Sequence, residues 1–175
     1  MTRPTATDYA PPHASYVELV AEEEDILTAM ERQSSETQKL LSSLDESRAA
    51  YRYAPGKWTV KEVIGHIADS ERILGYRALA VARGESQPLP GYDEDSYVRH
   101  ASFESWRLGD LAEQYALSRR ANIVFFKNLQ PEAWERRGTA NSYPVNVRGL
   151  AYVIVGHERH HLKVLREKYN VFPPA

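Results

Sequence analysis

Four long stretches of this chain repeat apolar residues at three- and four-residue spacing, and Pro, Gly or Asn interrupts the chain between them. Each stretch is about 20 residues long, enough for a helix that buries one face against neighbours. The first runs from Glu22 to Leu44, with Ile26, Leu27, Met30, Leu40, Leu41 and Leu44 as its apolar positions. The second opens at Thr59, where Thr59-Val60-Lys61-Glu62 has the form of a capping box, and stops near Arg83-Gly84. The third runs from Ser105 to Asn128, and Pro131-Glu132-Ala133-Trp134 suits a short helical turn with Pro at its start. The fourth runs from Val147 to Tyr169 behind an Asn146 N-cap, and Pro173 and Pro174 follow it. Four such helices make an all-α four-helix bundle the simplest architecture.

The chain of 175 residues suits one domain. Residues 1–14, with Pro4, Pro11 and Pro12, read as an extended or flexible arm, and residues 15–175 as the bundle. Gln87-Pro88-Leu89-Pro90-Gly91-Tyr92-Asp93 reads as a long loop of the kind that carries function. With no Cys there is no disulfide framework, no thiolate metal site and no Cys nucleophile. Any bound transition metal must use His and carboxylates. The balance of 22 Lys+Arg against 24 Asp+Glu argues against nucleic acid as a partner. No apolar run is long enough for a membrane span, and the N-terminus lacks an apolar signal region. The expectation is a cytoplasmic protein without a membrane partner.

The chemistry concentrates in the six His. Gly156-His157-Glu158-Arg159-His160-His161 places His157 and His161 one turn apart on the face that carries Leu150, Val153, Ile154, Val164 and Leu165. That face points into a bundle. His66 lies three residues from Val63 and is inward by the same logic. Each buried imidazole needs partners for a donor and an acceptor, and one cation can satisfy three acceptors at once. His66, His157 and His161 are therefore the candidate metal ligands. Asp69 and Glu71 are candidates to orient His66, and His160 to line the edge of the site. Tyr92, Tyr97 and His100, on or near the long loop, are candidate substrate contacts. Trp58 is expected in the core, and His13 in the arm is expected to be incidental.

His157-Glu158-Arg159-His160-His161 also fits H-E-x-x-H, the zinc-protease pattern in which Glu158 would be the general base. Such enzymes usually draw their third ligand from downstream. The residues after His161 include no His, and Glu167 sits on the same helix. A third ligand must come from upstream, which disfavours the protease reading.

Several separated motifs, in order, make the chain resemble the DinB/YfiT-like family of metalloenzymes over residues 20–171. They are Tyr51-Arg52-Tyr53-Ala54-Pro55-Gly56-Lys57-Trp58-Thr59 running on to His66, Asp69-Ser70-Glu71-Arg72, Pro88-Leu89-Pro90-Gly91-Tyr92-Asp93, Arg137-Gly138-Thr139-Ala140-Asn141 and Gly156 to His161. The resemblance implies an antiparallel four-helix bundle with a long crossover loop. It implies a divalent metal on His66, His157 and His161, and a homodimer. It also implies low-molecular-weight thiol chemistry or metal-dependent hydrolysis. Three protein ligands leave positions open, as catalytic sites do. The leading expectation is a metal-dependent enzyme that transfers a low-molecular-weight thiol to an electrophilic small molecule. A small-molecule hydrolase is the second expectation, and a non-enzymatic, metal-binding or stress-related dimeric module the third. Imidazole ligands favour Zn or Ni, with Fe and Mn as further candidates.

Overall fold

The computed structural model describes residues 2–22 and 24–172, so Met1, Glu23, Pro173, Pro174 and Ala175 lie outside the described residues. In chain order the helices are α1 (Ala14–Glu18), α2 (Ile26–Ser42), α3 (Glu46–Ala49), α4 (Val60–Ala82), α5 (Glu94–Ala101), α6 (Leu108–Lys127), α7 (Pro131–Trp134) and α8 (Val147–Glu167). Two short strands, β1 (Arg137–Ala140) and β2 (Tyr143–Asn146), precede α8. Side chains set most of the helix starts. The expected capping box is present, with Thr59 and Glu62 each bonding the other's backbone N–H. Asn146 accepts from Gly149 N–H as expected, and Asp25 from Thr28 N–H, so α2 begins after Asp25 rather than at Glu22. Asp93 caps α5 through Ser96 N–H, a helix that polar composition hides in the sequence.

α2, α4, α6 and α8 form the bundle. α4 packs along both α6 and α8, and so does α2, which places α2 and α4 on a diagonal. One apolar cluster joins the last turns of α4 and α6 (Leu74, Ala78, Val81, Ile123, Phe126) to the start of α8 (Val147, Leu150, Ala151). The other joins the first turns of α4 and α6 (Val60, Ile64, Leu108, Leu111) to the end of α8 (Leu162, Leu165). α4 and α6 therefore run in the same direction and α8 in the opposite one. The expected antiparallel order holds between α4 and α8 but not between α4 and α6. Two parallel neighbours need a connection that returns along the bundle, about 34 Å for the 23 residues of α4. The segment from Arg83 to Arg107, with α5 inside it, makes that return.

A polar layer separates the two apolar clusters. Gln33, Thr37, His66, Ser70, Glu71, Tyr115, Arg119, Asn122, His157 and Glu158 are all buried. Arg119, with no exposure, donates twice to Glu71 at 2.8 Å and once to Glu158 at 2.6 Å. Glu158 also accepts from the Thr37 hydroxyl at 2.5 Å and the Tyr115 hydroxyl at 2.7 Å. One guanidinium faces two carboxylates. Burial pushes the Glu158 carboxyl up, against the pull of Arg119 and these hydroxyls.

Two expectations change. The segment read as a break from Arg137 to Pro144 is a hairpin, paired Arg137 to Asn146 and Ala140 to Tyr143. Asn141 (φ 50°) and Ser142 (φ 67°) make its two-residue turn, whose positive φ values suit the twist of a tight hairpin. Leu89 of the long loop bonds to this hairpin through Leu89 N–H to Thr139 O and Asn141 N–H to Leu89 O. The N-terminal arm is irregular for most of its length but lies against the bundle. Asp8 is buried, accepts from Asn146 at 2.9 Å and pairs with Arg137 and Arg148. Two glycines of α8 admit its backbone. A Cβ on Gly149 would stand 2.0 Å from the Asp8 carbonyl oxygen, and one on Gly156 2.0 Å from that of Tyr16.

Candidate metal centre

α4 and α8 bring His66, His157 and His161 to one point in the polar layer. His66 Nε2 lies 3.0 Å from His157 Nε2, and His161 Nε2 lies 3.1 Å from the same atom. The three ligand atoms all fall within 4.8 Å of one another. Nitrogens bound to one cation at about 2.0–2.1 Å stand about 3.3 Å apart in a tetrahedral site and about 2.9 Å apart in an octahedral one. These two separations lie between those values and the third stays within 4.8 Å, so the arrangement suits a divalent transition metal. It fits hydrogen bonding poorly, because His157 Nε2 carries at most one proton to share with two neighbours.

Burial sets the protonation of these rings. It pulls His66 down to about 4 and, with the His66 and His160 charges adding to it, His161 down to about 3. Burial and the other imidazoles hold His157 well below the usual range. All three are neutral at pH 7, the form a metal requires.

Aromatic rings wall the centre. Trp58 packs against the apolar core, as expected, and with its ring 5.0 Å from that of His66 it also borders the site. Tyr16 of α1 stands edge-on to His157 at 5.4 Å and tilted over His160 at 5.3 Å. His13, expected to be incidental, stacks on Tyr16 at 5.9 Å, and its Nδ1 is buried with no hydrogen-bond partner among the described residues. A cleft of 370 Å³ opens beside His161, lined by Lys57, Trp58, Asp95 and His160 among others. The ligand set is thus exposed to small molecules on one side.

The remaining sequence candidates fall in three places. His160 sits at the mouth, its ring 5.1 Å from His161. Glu71 is held by Arg119 and Asn122, and Asp69 accepts weakly from Gln114 at 3.5 Å. Neither bonds His66 among the described residues, so the orienting role expected of them is not the one they play. The Tyr92 hydroxyl meets Ser70 Oγ at 2.8 Å, one turn along α4 from His66, and its ring is 5.0 Å from that of Tyr97. His100 is exposed and turns its Nδ1 to the Ser96 carbonyl 2.7 Å away on its own helix. Sequence reasoning missed Tyr16 and His13, whose place depends on docking of the arm.

No protein of curated function matches the chain in sequence. Among solved structures, YfiT from Bacillus subtilis, described as a probable metal-dependent hydrolase with an unusual four-helix bundle topology, is 15% identical. It superposes with a TM-score of 0.74 over 94% of this chain and 91% of that one. A mycothiol-dependent maleylpyruvate isomerase is 18% identical, with a TM-score of 0.65 over 85% of this chain and 62% of that one. At such identities the likeness is one of fold. The family model of the DinB superfamily matches residues 29–165, most of the chain, and the chain belongs to that superfamily.

Proposed function

We propose that the protein is a metal-dependent enzyme in which His66, His157 and His161 hold a divalent transition metal, and that it transfers a low-molecular-weight thiol to an electrophilic small molecule. The observation that carries this reading is the convergence of three neutral, largely buried imidazole nitrogens beside an open cleft. A purely structural site is normally closed by a fourth protein ligand. Among the described residues no fourth His, Asp or Glu joins the group.

A divalent cation held there supplies a Lewis acid that favours the deprotonated form of a thiol or of water. The chain itself supplies the rest. His66, His157 and His161 hold the cation, while the rings of Trp58 and Tyr16 restrict water around it. His160 is partly exposed at the mouth, and burial lowers its pKa, so it is neutral at pH 7 and able to take the thiol proton. The sulfur then bonds the electrophilic carbon and the leaving group departs with the bonding pair. The chain has no Cys, so the sulfur comes from a diffusible cosubstrate. Zn and Ni suit three imidazoles, and Fe and Mn are the alternatives. We also infer a homodimer.

Hydrolysis is the second reading, favoured by the fold shared with YfiT, described as a probable metal-dependent hydrolase. One experiment separates the two. Zinc-loaded protein is incubated with monochlorobimane and free cysteine, and in parallel with p-nitrophenyl acetate without thiol. Thiol-dependent bimane adduct that His157→Ala abolishes supports transfer. Ester cleavage without thiol, also lost in His157→Ala, replaces transfer by hydrolysis. No turnover of either above the variant's background removes both.

A further inference from the structure

Arg77 is a largely buried cation with few partners among the described residues. It is 5% exposed, yet its one hydrogen bond runs to the Pro90 carbonyl at 2.7 Å. No carboxylate among the described residues forms an ion pair with it. The titratable groups that face it are Tyr92 and Tyr97 from the crossover segment and His13 from the arm. The other buried cations are matched: Arg119 by Glu71 and Glu158, and Lys61 by Glu46 and two carbonyls. Only Nη2 of the Arg77 guanidinium has a partner among the described residues, and its other donors, which are not among the buried atoms left unpartnered, open onto the cavity beside them.

The surroundings fit a small anionic ligand. Arg77 lines a cavity of 310 Å³ with Arg72, Tyr76, Tyr92 and Tyr97, and its guanidinium stands 5.9 Å from the centre of the Tyr92 ring. Aromatic walls and one buried fork of N–H donors suit a planar carboxylate on an apolar body. Arg77 also shares a helix face with His66. The two are eleven residues apart, about 16 Å along α4, and a helical side chain leans toward the N-terminus. Tyr92, which lines the Arg77 cavity, meets Ser70 Oγ at 2.8 Å one turn of α4 from His66. α5 walls both spaces, with Asp95 beside His161 and Tyr97 beside Arg77.

We propose that Arg77 binds a carboxylate of the small-molecule substrate, whose reacting end lies at the three-His centre. This rests on the metal-enzyme reading for the word substrate, but carboxylate binding at Arg77 stands by itself. Arg72 at the cavity edge is exposed and solvated, so Arg77 is the cavity's one buried cation among the described residues, and a single such charge matches a carboxylate better than a phosphate dianion.

The test measures binding, not turnover. Phenylacetate, its neutral amide phenylacetamide, and phenyl phosphate are titrated by calorimetry into protein stripped with EDTA and into zinc-loaded protein. The expected result is phenylacetate binding at least tenfold tighter than the amide in the stripped protein. Arg77→Met should erase that preference while far-UV dichroism keeps the helical signal. Arg77→Lys, which retains the charge and can still reach Pro90, should bind phenylacetate several-fold more weakly than the native protein. It carries the test if the Met variant is poorly folded. Equal binding of acid and amide, a preference that survives in Arg77→Met, or undiminished binding in Arg77→Lys overturns the proposal. So does tighter binding of phenyl phosphate than of phenylacetate. Binding that appears only with zinc would place the anion on the metal and overturn it too. Failure of both turnover assays with intact phenylacetate binding would remove the enzyme reading alone.

Discussion

Acidifying the metal-stripped protein from pH 7.5 to pH 5 should destabilise it through its three central imidazoles. In the unfolded chain they titrate near 6.5, whereas burial holds His66 at about 4 and His161 at about 3, with His157 lower than usual as well. Below 6.5 the unfolded chain takes up protons that the folded one refuses. Stability is therefore full above 6.5 and falls as the pH drops toward the folded values. Between pH 7.5 and 5 a ring held at about 4 or about 3 contributes a loss of about 2 kcal/mol, so His66 and His161 give about 4 kcal/mol, and His157 adds to it in the same direction. That is comparable with the entire stability of a typical domain, about 5–15 kcal/mol. His13 and His160, also lowered by burial, act in the same direction. Glu158, Asp69 and Glu94 are raised by burial and act in the opposite one. The comparison that isolates the centre is native protein against His161→Asn. Urea unfolding followed by far-UV dichroism in EDTA, at half-unit pH steps, should show a loss smaller by about 2 kcal/mol in the variant. A native protein equally stable at pH 7.5 and 5, or a variant with the native slope, would refute the burial argument.

Four shorter predictions follow from other features. Elemental analysis of zinc-loaded protein should find close to one metal per chain, lost in His157→Ala and in His161→Ala; retention in both would dismiss the site. Arg119→Met leaves Glu71 and Glu158 buried without their cation and should cost about 3–5 kcal/mol, read as a melting point lower by roughly 6–20 °C. A shift under 2 °C would show that this network contributes little. Gly156→Ala forces a methyl onto the Tyr16 carbonyl, so limited chymotrypsin digestion should cut after Tyr9 far faster while helical dichroism is kept. The inferred homodimer would place exposed Tyr76 and Leu79 of α4 and Leu117 and Val124 of α6 in its interface. Light scattering should then give twice the 19.9 kDa chain mass, and half that for Leu117→Glu; a monomeric native protein removes the dimer.

What could be read from the residues alone was what local chemistry decides. The Thr59 and Asn146 caps each lie within three residues of their partners, so a linear pattern reveals them. The inward phase of His157, His161 and His66 follows from helix periodicity and the apolar residues around them. What escaped depends on distant segments. The hairpin was hidden by Gly138 and Pro144, which break strands except at a short exposed edge. Glu71 resembled a partner for His66 in sequence, but Arg119, 48 positions away, holds it. Nothing in the neighbourhood of Tyr16 announces that two glycines on α8 will receive its segment. Arg77 gave no signal, since an arginine is taken as exposed until the fold buries it.

His157 and His161 are neighbours on one helix, but His66 lies 91 positions before His157. Only that pair can exist as a local unit while the chain is still finding its shape; the third nitrogen arrives when α4 docks on α8. Closing so distant a pair costs chain entropy before the contact can repay it. The order of assembly therefore puts scaffold before ion: a cation meets a nearly finished cage whose width is set by the packing of two helices. Selection among metals at this centre is then a matter of rigidity, and substitutions that loosen the α4–α8 seam should blur that choice before they unfold the chain.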